Sequence, residues 1–238
     1  AESAFKEWSK TSPRDRSVIL KNAYELFMNK IEDFAELITI ENGKAYADAK
    51  GEALYSAEFF RWYSEEAVRA NGQISQAPAT GARIVVQYKP IGISVHVTPW
   101  NYPAAMGTRK IAPAIAAGCP VIIKPASETP LTMLELMPLL EEAGVPKGLL
   151  SVLPSRNTSK LVDHLLHDPR VRLVSFTGST EVGRKLLKVA ADQVLKTSME
   201  LGGNAPLIIF DDADINTAIE GALLAKMRNL GEACTAAN

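Results

Sequence analysis

The chain has 238 residues and a formal net charge of −1, with 47% hydrophobic and 22% charged residues. This is the composition of an ordinary globular protein, and it gives no electrostatic reason to expect nucleic acid or an acidic membrane as a partner. No apolar run is long enough to span a bilayer, and no signal peptide is recognised at the start. The two cysteines, Cys119 and Cys234, predict free thiols in a reducing cytoplasm.

The first seventy residues are predicted to be helical. Between residues 15 and 41, apolar side chains recur at steps of three and four, and a second helical stretch follows Gly43 and runs to about Ala70. The segment 74–90 has a different character, because Gly and Pro punctuate a short alternating run. It predicts a protruding β-hairpin.

From Gly92 onward, short β-branched apolar runs alternate with helical stretches. The predicted helices lie near residues 102–116, 130–143, 157–167 and 180–191, and the runs before them are "GISVHV", "PVIIK", "LLSVL" and "VRLVSF". The segments "LKTSMEL" and "APLIIF" predict two further strands. This alternation predicts an α/β fold with a doubly wound parallel sheet. In such sheets ligands bind beyond the carboxyl ends of the strands.

Two polar residues stand at the first predicted strand ends. Asn101, in "TPWNYP", is either a turn residue or helix cap, or an amide that donates to a developing oxyanion. Lys124 closes the strand "PVIIK" and is either a surface residue or a cation directed at the ligand site. The residues alone leave both alternatives open.

The later strand ends carry a glycine turn, an acid and a thiol. Gly178 and Ser179 begin either an ordinary capped helix or one whose N-terminus binds a phosphate, although the G-x-G-x-x-G motif is absent. Glu200 precedes two glycines and is either a solvated acid or a general base. Cys234, near the end of the chain, is either a packing residue or a nucleophile.

Five motifs, in order over nearly the whole chain, resemble the aldehyde dehydrogenase superfamily: "PWNYP", "AAGCPVIIKPASETPLT", "SFTGSTEVGR", "MELGGNAP" and "GEACTAAN". The resemblance implies that the Cys234 thiolate attacks the aldehyde carbonyl. It implies an oxyanion hole formed by Asn101 and the backbone N–H of Cys234. It also implies that Glu200 activates the water that hydrolyses the thioester.

The same resemblance implies a nicotinamide cofactor and no metal. Lys124 matches the lysine at the adenosine ribose, and Gly178 and Ser179 match the turn beside the pyrophosphate. NAD-selective relatives carry a carboxylate three residues after that lysine, where this chain has Ser127, and Glu128 comes one place later. We therefore predict NADP, with NAD as the alternative in which Glu128 turns inward. Further cofactor contacts are implied for Thr98, Pro99, Trp100 and Leu201.

The predicted substrate depends on Arg109, eight residues after Asn101. One alternative is a solvated basic pair formed by Arg109 and Lys110. However, "AMGTRKIAPAIAAGC" is similar to the succinate-semialdehyde branch of the family, in which an arginine at this position receives the distal carboxylate. Because a guanidinium binds a carboxylate bidentately, we expect oxidation of succinate semialdehyde to succinate.

The resemblance also implies the domain organisation. Residues 1–73 and 91–203 form the cofactor domain, 74–90 an oligomerisation hairpin and 204–238 the beginning of a truncated catalytic domain. The full-length protein is expected to be a cytoplasmic homodimer or homotetramer, and the fragment alone to be inactive. Two alternatives stay open: a nucleotide-binding module without turnover, and a dehydrogenase for another aldehyde. A cysteine hydrolase is disfavoured because no histidine is near Cys234 in sequence.

Overall fold

The computed structural model describes residues 1–238. Four helices open the chain: α1 (Glu2–Trp8), α2 (Pro13–Asn29), α3 (Ile31–Asn42) and α4 (Tyr46–Glu66). A hairpin follows, formed by β1 (Gln73–Gln76) and β2 (Arg83–Val86). The alternating part comprises β3 (Ile93–Val97), α5 (Ala105–Ala116), β4 (Val121–Lys124), α6 (Leu131–Ala143), β5 (Leu150–Val152), α7 (Thr158–Leu166), β6 (Val171–Thr177), α8 (Thr180–Asp192) and β7 (Lys196–Glu200). The last elements are α9 (Ile215–Met227) and a short 3₁₀ helix (Arg228–Gly231).

The main sheet has five parallel strands in the order β5-β4-β3-β6-β7. The chain moves outward from β3 through β4 to β5, then returns to the other side of β3 to form β6 and β7. The order therefore reverses between β3 and β6, and in a sheet of this kind the crevice at the reversal is the expected ligand site. The predicted α/β class and doubly wound sheet are confirmed.

Two apolar cores hold the sheet between layers of helices. The larger, of 29 buried residues, joins α2, α3, α4, α5 and α6 to β4 and β5. The smaller, of ten residues, joins α7 and α8 to β3 and β6. Strand β3 alternates as a buried strand should: Ile93, Val95 and Val97 enter the smaller core, whereas Ser94 and His96 are buried polar residues between them. Both cysteines are free thiols, as predicted, and Cys119 is buried.

The hairpin of β1 and β2 is a separate antiparallel pair, and every residue in both strands is exposed. Its apolar side chains include Ile74, which is 74% exposed, and Val85, which is 58% exposed. The hairpin itself is therefore confirmed. Its role in oligomerisation, and the predicted domain boundaries, remain predictions.

The strand predicted for "APLIIF" is wrong, since residues 205–210 form no strand. A strand needs a neighbouring strand, and the backbone bonds of this segment reach only Asn238 and the turn at Ala213. Leu207 N donates to Asn238 O at 3.0 Å, Asn238 N donates to Ala205 O at 3.2 Å, and Ala213 N donates to Phe210 O at 3.2 Å. The apolar side chains Ile208 and Phe210 are consequently 71% and 72% exposed. None of the helices combines the length and the apolarity that crossing a membrane requires.

Candidate active site

A cavity of about 640 Å³ lies beyond the carboxyl ends of β3, β6 and β7, at the reversal of strand order. Most of the predicted site residues line it, although they come from distant parts of the chain. They are Pro99, Trp100, Asn101, Arg109, Gly178, Ser179, Glu200, Leu201 and Cys234. Thr98, Lys124 and Ser127 do not line this cavity and belong to neighbouring positions of the sheet edge.

Asn101 is held through its side chain and through its backbone carbonyl. Its side-chain Nδ2 donates to Glu232 O at 2.8 Å, and its backbone carbonyl accepts from Lys44 Nζ at 2.8 Å and from Asn229 Nδ2 at 3.1 Å. Asn101 does not cap the following helix, which begins at Ala105. Because a side-chain amide has two N–H groups, one remains to donate to another acceptor in the cavity.

Cys234 presents an exposed thiol to the cavity, and no histidine lines that cavity. His96 lies in β3, where its Nε2 is 2.7 Å from Ser94 Oγ, and burial lowers its pKa to about 3, so it is neutral. The other two histidines lie on α7 or directly after it, at His164 and His167. A Cys–His pair is therefore not assembled at Cys234.

Glu200 ends β7 at the cavity, and its backbone carbonyl accepts from Gly178 N at 3.0 Å.

The structure corrects the idea of a solvated basic pair on α5. Lys110 is buried, and its Nζ donates to Ser175 Oγ at 2.7 Å. Burial lowers the pKa of Lys110 to about 8, with a further lowering from Arg109 that Glu200 opposes.

Two guanidinium groups line the cavity. Arg109 is exposed, and its guanidinium carbon lies 5.7 Å from the centroid of the Phe59 ring. The second is Arg228, in the 3₁₀ helix that precedes Cys234. Sequence analysis missed Arg228, although its position six residues before the cysteine was a usable signal.

Gly178 and Ser179 form the turn into α8. Ser179 is the N-cap of that helix, and its Oγ accepts from Val182 N at 3.4 Å. A side chain at Gly178 would collide with the Phe176 ring, because a Cβ built there lies 2.5 Å from the ring. The turn therefore brings bare backbone and the N–H end of α8 to the cavity wall.

Lys124 and Ser127 meet beside this cavity, at the end of β4. Lys124 Nζ is 3.2 Å from Ser127 Oγ, and Ser127 in turn donates to Ser155 O at 3.0 Å. Lys124 is aligned with Val97 in the sheet register, and Thr98 is buried at the next position.

Val97 also lines a second groove, of about 480 Å³, between α7 and α8. Its other apolar side chains are Val162, Leu166, Val182, Leu186 and Val189.

Comparison with known proteins gives one consistent answer. The family model described as "Aldehyde dehydrogenase family" matches residues 1–238. A succinate-semialdehyde dehydrogenase from Paenarthrobacter nicotinovorans is 53% identical over 231 residues, which is 97% of this chain and 51% of that protein. The NADP+ succinate-semialdehyde dehydrogenase of Escherichia coli is 45% identical over the whole of this chain and 49% of its own length.

Solved structures agree with the sequence comparison. The crystal structure of succinate-semialdehyde dehydrogenase from Burkholderia pseudomallei superimposes with a TM-score of 0.96 at 45% identity, covering 100% of this chain and 49% of that one. The chain thus spans about half the length of the relatives that it matches. On the family match, the identities and the superposition together, the chain belongs to the aldehyde dehydrogenase family.

Proposed function

We propose that this chain is the amino-terminal half of an enzyme that oxidises succinate semialdehyde to succinate through a thioester on Cys234. The observation that carries the proposal is the content of one cavity. It gathers an exposed thiol, a tethered amide at Asn101, a carboxylate at Glu200 and the guanidinium groups of Arg109 and Arg228. Activity is therefore a property of the full-length enzyme, in which a second half like that of the relatives follows this sequence.

The chemistry begins at Cys234. Its thiolate adds to the aldehyde carbon, so that a C–S bond forms and the carbonyl electrons move to oxygen as a thiohemiacetal. The free N–H of Asn101 and the backbone N–H of Cys234 donate to this oxyanion. After oxidation to the thioester, Glu200 takes a proton from water as the water oxygen attacks the acyl carbon. The C–S bond then breaks, and the acid and the Cys234 thiolate separate.

The residues present fit a nicotinamide dinucleotide. The apolar groove between α7 and α8 suits an adenine ring. Val97, which lines the groove, pairs in the sheet with Lys124, and Lys124 contacts Ser127. The bare backbone at Gly178 and the N-terminus of α8 suit a pyrophosphate. When bound, the nicotinamide supplies the acceptor for the aldehyde hydride. NADP is favoured because the residue beside Lys124 Nζ, Ser127, is not a carboxylate and so would not repel a 2′-phosphate.

Replacing Ser127 with Glu is expected to shift preference from NADP to NAD. The new carboxylate beside Lys124 repels a 2′-phosphate but accepts from a 2′-hydroxyl, and a contact of this kind changes selectivity by about tenfold or more. The measurement is the ratio of kcat/KM for the two cofactors in the full-length enzyme. Glu128→Gln tests the alternative in which this exposed acid turns toward Lys124, and a ratio that stays unchanged in this variant leaves the preference with Ser127. A ratio that moves with Glu128→Gln and not with Ser127→Glu would contradict the assignment.

The substrate class follows from the charges of the cavity. Arg109 and Arg228 stand at the same cavity as Cys234 but on different elements, which suits an aldehyde whose far end is an anion. Arg109 lies against the Phe59 ring, which holds its planar fork in place. A carboxylate that binds there leaves the aldehyde end of a short substrate free to reach the thiol.

Arg109→Ala is expected to weaken transition-state binding of succinate semialdehyde by about 2–5 kcal/mol, because the distal carboxylate loses its partner. The loss is measured as the fall in kcat/KM. For butanal, which has no distal charge, kcat/KM should hardly change. Arg109→Lys should rescue only in part, since an ammonium cannot reproduce the bidentate fork. Equal losses for the charged and the neutral aldehyde would contradict carboxylate binding by Arg109 and leave the substrate open.

A second candidate function is nucleotide binding without turnover. It is favoured by α9, the helix that precedes the segment of Cys234, which buries none of its residues. The two functions are distinguished by reduced-cofactor formation from succinate semialdehyde, measured on residues 1–238 and on the full-length enzyme. We expect residues 1–238 and the full-length enzyme both to bind the cofactor, and only the full-length enzyme to form reduced cofactor.

A further inference from the structure

We propose that the buried ion pair of Lys44 and Glu52 positions Asn101 for oxyanion stabilisation. The inference rests on the proposed function and adds to it two residues that do not touch the substrate cavity. Lys44 lies just beyond the end of α3, and Glu52 lies in α4, so both come from the helical layer that precedes the sheet. Their contacts converge on the loop that carries Asn101.

Lys44 makes two hydrogen bonds at full burial. Its Nζ lies 2.6 Å from Glu52 Oε2 and 2.8 Å from the backbone carbonyl of Asn101. The side chains of the pair are 1% and 0% exposed. The ammonium also lies 4.3 Å from the centroid of the Tyr102 ring. A charge held this way has no freedom to leave the loop, because every alternative position costs desolvation without a partner.

Glu52 holds the other end of the same loop. Its second oxygen, Oε1, accepts from Ala104 N at 2.8 Å and from Ala105 N at 3.1 Å, where α5 begins. These are the helix N–H groups that lack a partner within the helix. One ion pair therefore fixes both the Asn101 peptide, through Lys44, and the start of α5, through Glu52. The loop from Asn101 to Ala105 is thus bonded to the pair at both of its ends.

The segment 41–44 supports this arrangement. Gly43 ends α3 in the left-handed region at φ +86°, a conformation that side chains rarely adopt, and it turns the chain so that Lys44 points inward. Asn42 Nδ2 donates to Trp100 O at 3.1 Å, one residue before Asn101. Consecutive carbonyls of the loop are thus held by donors from one short segment.

The Asn101 carbonyl is also the junction with the segment that carries the thiol. Asn229 Nδ2 donates to it at 3.1 Å and to Glu232 O at 3.1 Å, and Glu232 O in turn accepts from the Asn101 amide. Two donors on one carbonyl oxygen hold the plane of the peptide and with it the direction in which the side chain leaves the backbone, and the bond from Asn101 Nδ2 to Glu232 O holds the amide itself. Buried ion pairs are seldom more stabilising than an apolar pair, so these contacts point to positioning and not to stability alone.

The test is acylation of Cys234 by 4-nitrophenyl acetate in the full-length enzyme. The rate is measured from the 4-nitrophenolate that acylation releases. This reaction passes through an oxyanion and needs no cofactor. Lys44→Met is expected to slow acylation by about tenfold to 10²-fold, the size of a small misplacement of a catalytic group. Asn101→Ala is expected to slow it by about 10²–10³-fold. Alkylation of the thiol by iodoacetamide has no oxyanion, so its rate should not change in either variant.

The decisive comparison is the double variant Lys44→Met/Asn101→Ala, which should be no slower than Asn101→Ala alone, because Lys44 acts through Asn101. Losses that multiply would overturn the proposal. Lys50→Met is the matched control, since Lys50 forms an exposed ion pair with Glu32, and it should acylate at the wild-type rate.

A variant that removes both charges keeps the test decisive if Lys44→Met does not fold. Lys44→Met/Glu52→Gln has no charge at the site of the buried pair and keeps an acceptor for the start of α5, but lacks the bond to Asn101 O. It should fold and acylate slowly; acylation at the wild-type rate, or failure to fold, would overturn positioning in favour of a structural role. A wild-type enzyme that releases no 4-nitrophenolate would instead refute Cys234 as nucleophile, which is the proposed function itself.

Discussion

Cys234→Ala in the full-length enzyme is expected to abolish aldehyde oxidation, with a loss on the order of 10⁴–10⁶-fold in kcat, because no other nucleophile replaces the thiolate. Cys234 is exposed at the cavity, and the groove between α7 and α8, which is proposed to hold the adenine, is lined by no residue of the segment that carries Cys234. Cofactor binding should therefore remain. The measurements are the rate of reduced-cofactor formation and the Kd for NADP.

Cys119 provides the internal control for that prediction. It is the other cysteine of the chain, it is buried, and it lies outside the cavity. Cys119→Ala should keep full-length activity close to the wild-type value, with at most the loss of stability that a small cavity brings. Oxidation that survives Cys234→Ala would remove the covalent route from the account.

Glu200→Gln should trap the enzyme after one half of its reaction. Glutamine has the shape of glutamate but cannot take a proton from water, and the loss of a general base slows its step by about 10²–10⁴-fold. Acylation does not need that base, so one equivalent of reduced cofactor should form rapidly before the steady state falls. Rapid-mixing measurement of reduced cofactor resolves the burst from the slow phase.

Glu232 is the matched control for Glu200, because it is the other glutamate at the cavity. Only its backbone carbonyl is engaged by Asn101, so Glu232→Gln should leave deacylation unchanged. A slow steady state in Glu232→Gln, with a normal one in Glu200→Gln, would assign the water-activating role to Glu232. An unchanged steady state in both variants would remove both carboxylates from the step.

Most of the fold could be predicted from local patterns. The alternation of β-branched runs with helical stretches predicted the class, and the parallel arrangement then followed from the helical crossovers between the strands. The exception is "APLIIF", whose composition is that of a strand but which has no strand beside it within residues 1–238. Composition describes what a segment prefers, whereas strand formation depends on a partner that the segment does not contain.

The candidate site was predictable where a residue ends a strand or follows it closely. Glu200 ends β7, and Asn101 lies in the loop that follows β3. The site was not predictable where function depends on a distant neighbour. Lys110 was paired with Arg109 as a solvated residue, yet it is buried against Ser175, 65 residues later in the chain. A lysine in a helix looks the same in sequence whether its face meets water or a sheet. Only the packing of α5 on the sheet distinguishes the two.

The same limit explains why the positioning pair could not be found from sequence. Glu52 meets the backbone N–H of Ala104, 52 residues away, and a backbone N–H carries no signature of its own. Lys44 likewise meets a carbonyl oxygen, at Asn101. Side chains that act on backbone atoms are recognisable only once the fold brings them together.

The most direct test of the central claim is the mass of the peptide that carries Cys234, taken from the Glu200→Gln full-length enzyme after one turnover with succinate semialdehyde and NADP. The account predicts a mass increase equal to one succinyl group, located on Cys234 and released by hydroxylamine, in an amount that matches the burst of reduced cofactor. A burst with an unmodified Cys234 peptide, or with the acyl group on another residue, would contradict a reaction through a thioester at this site.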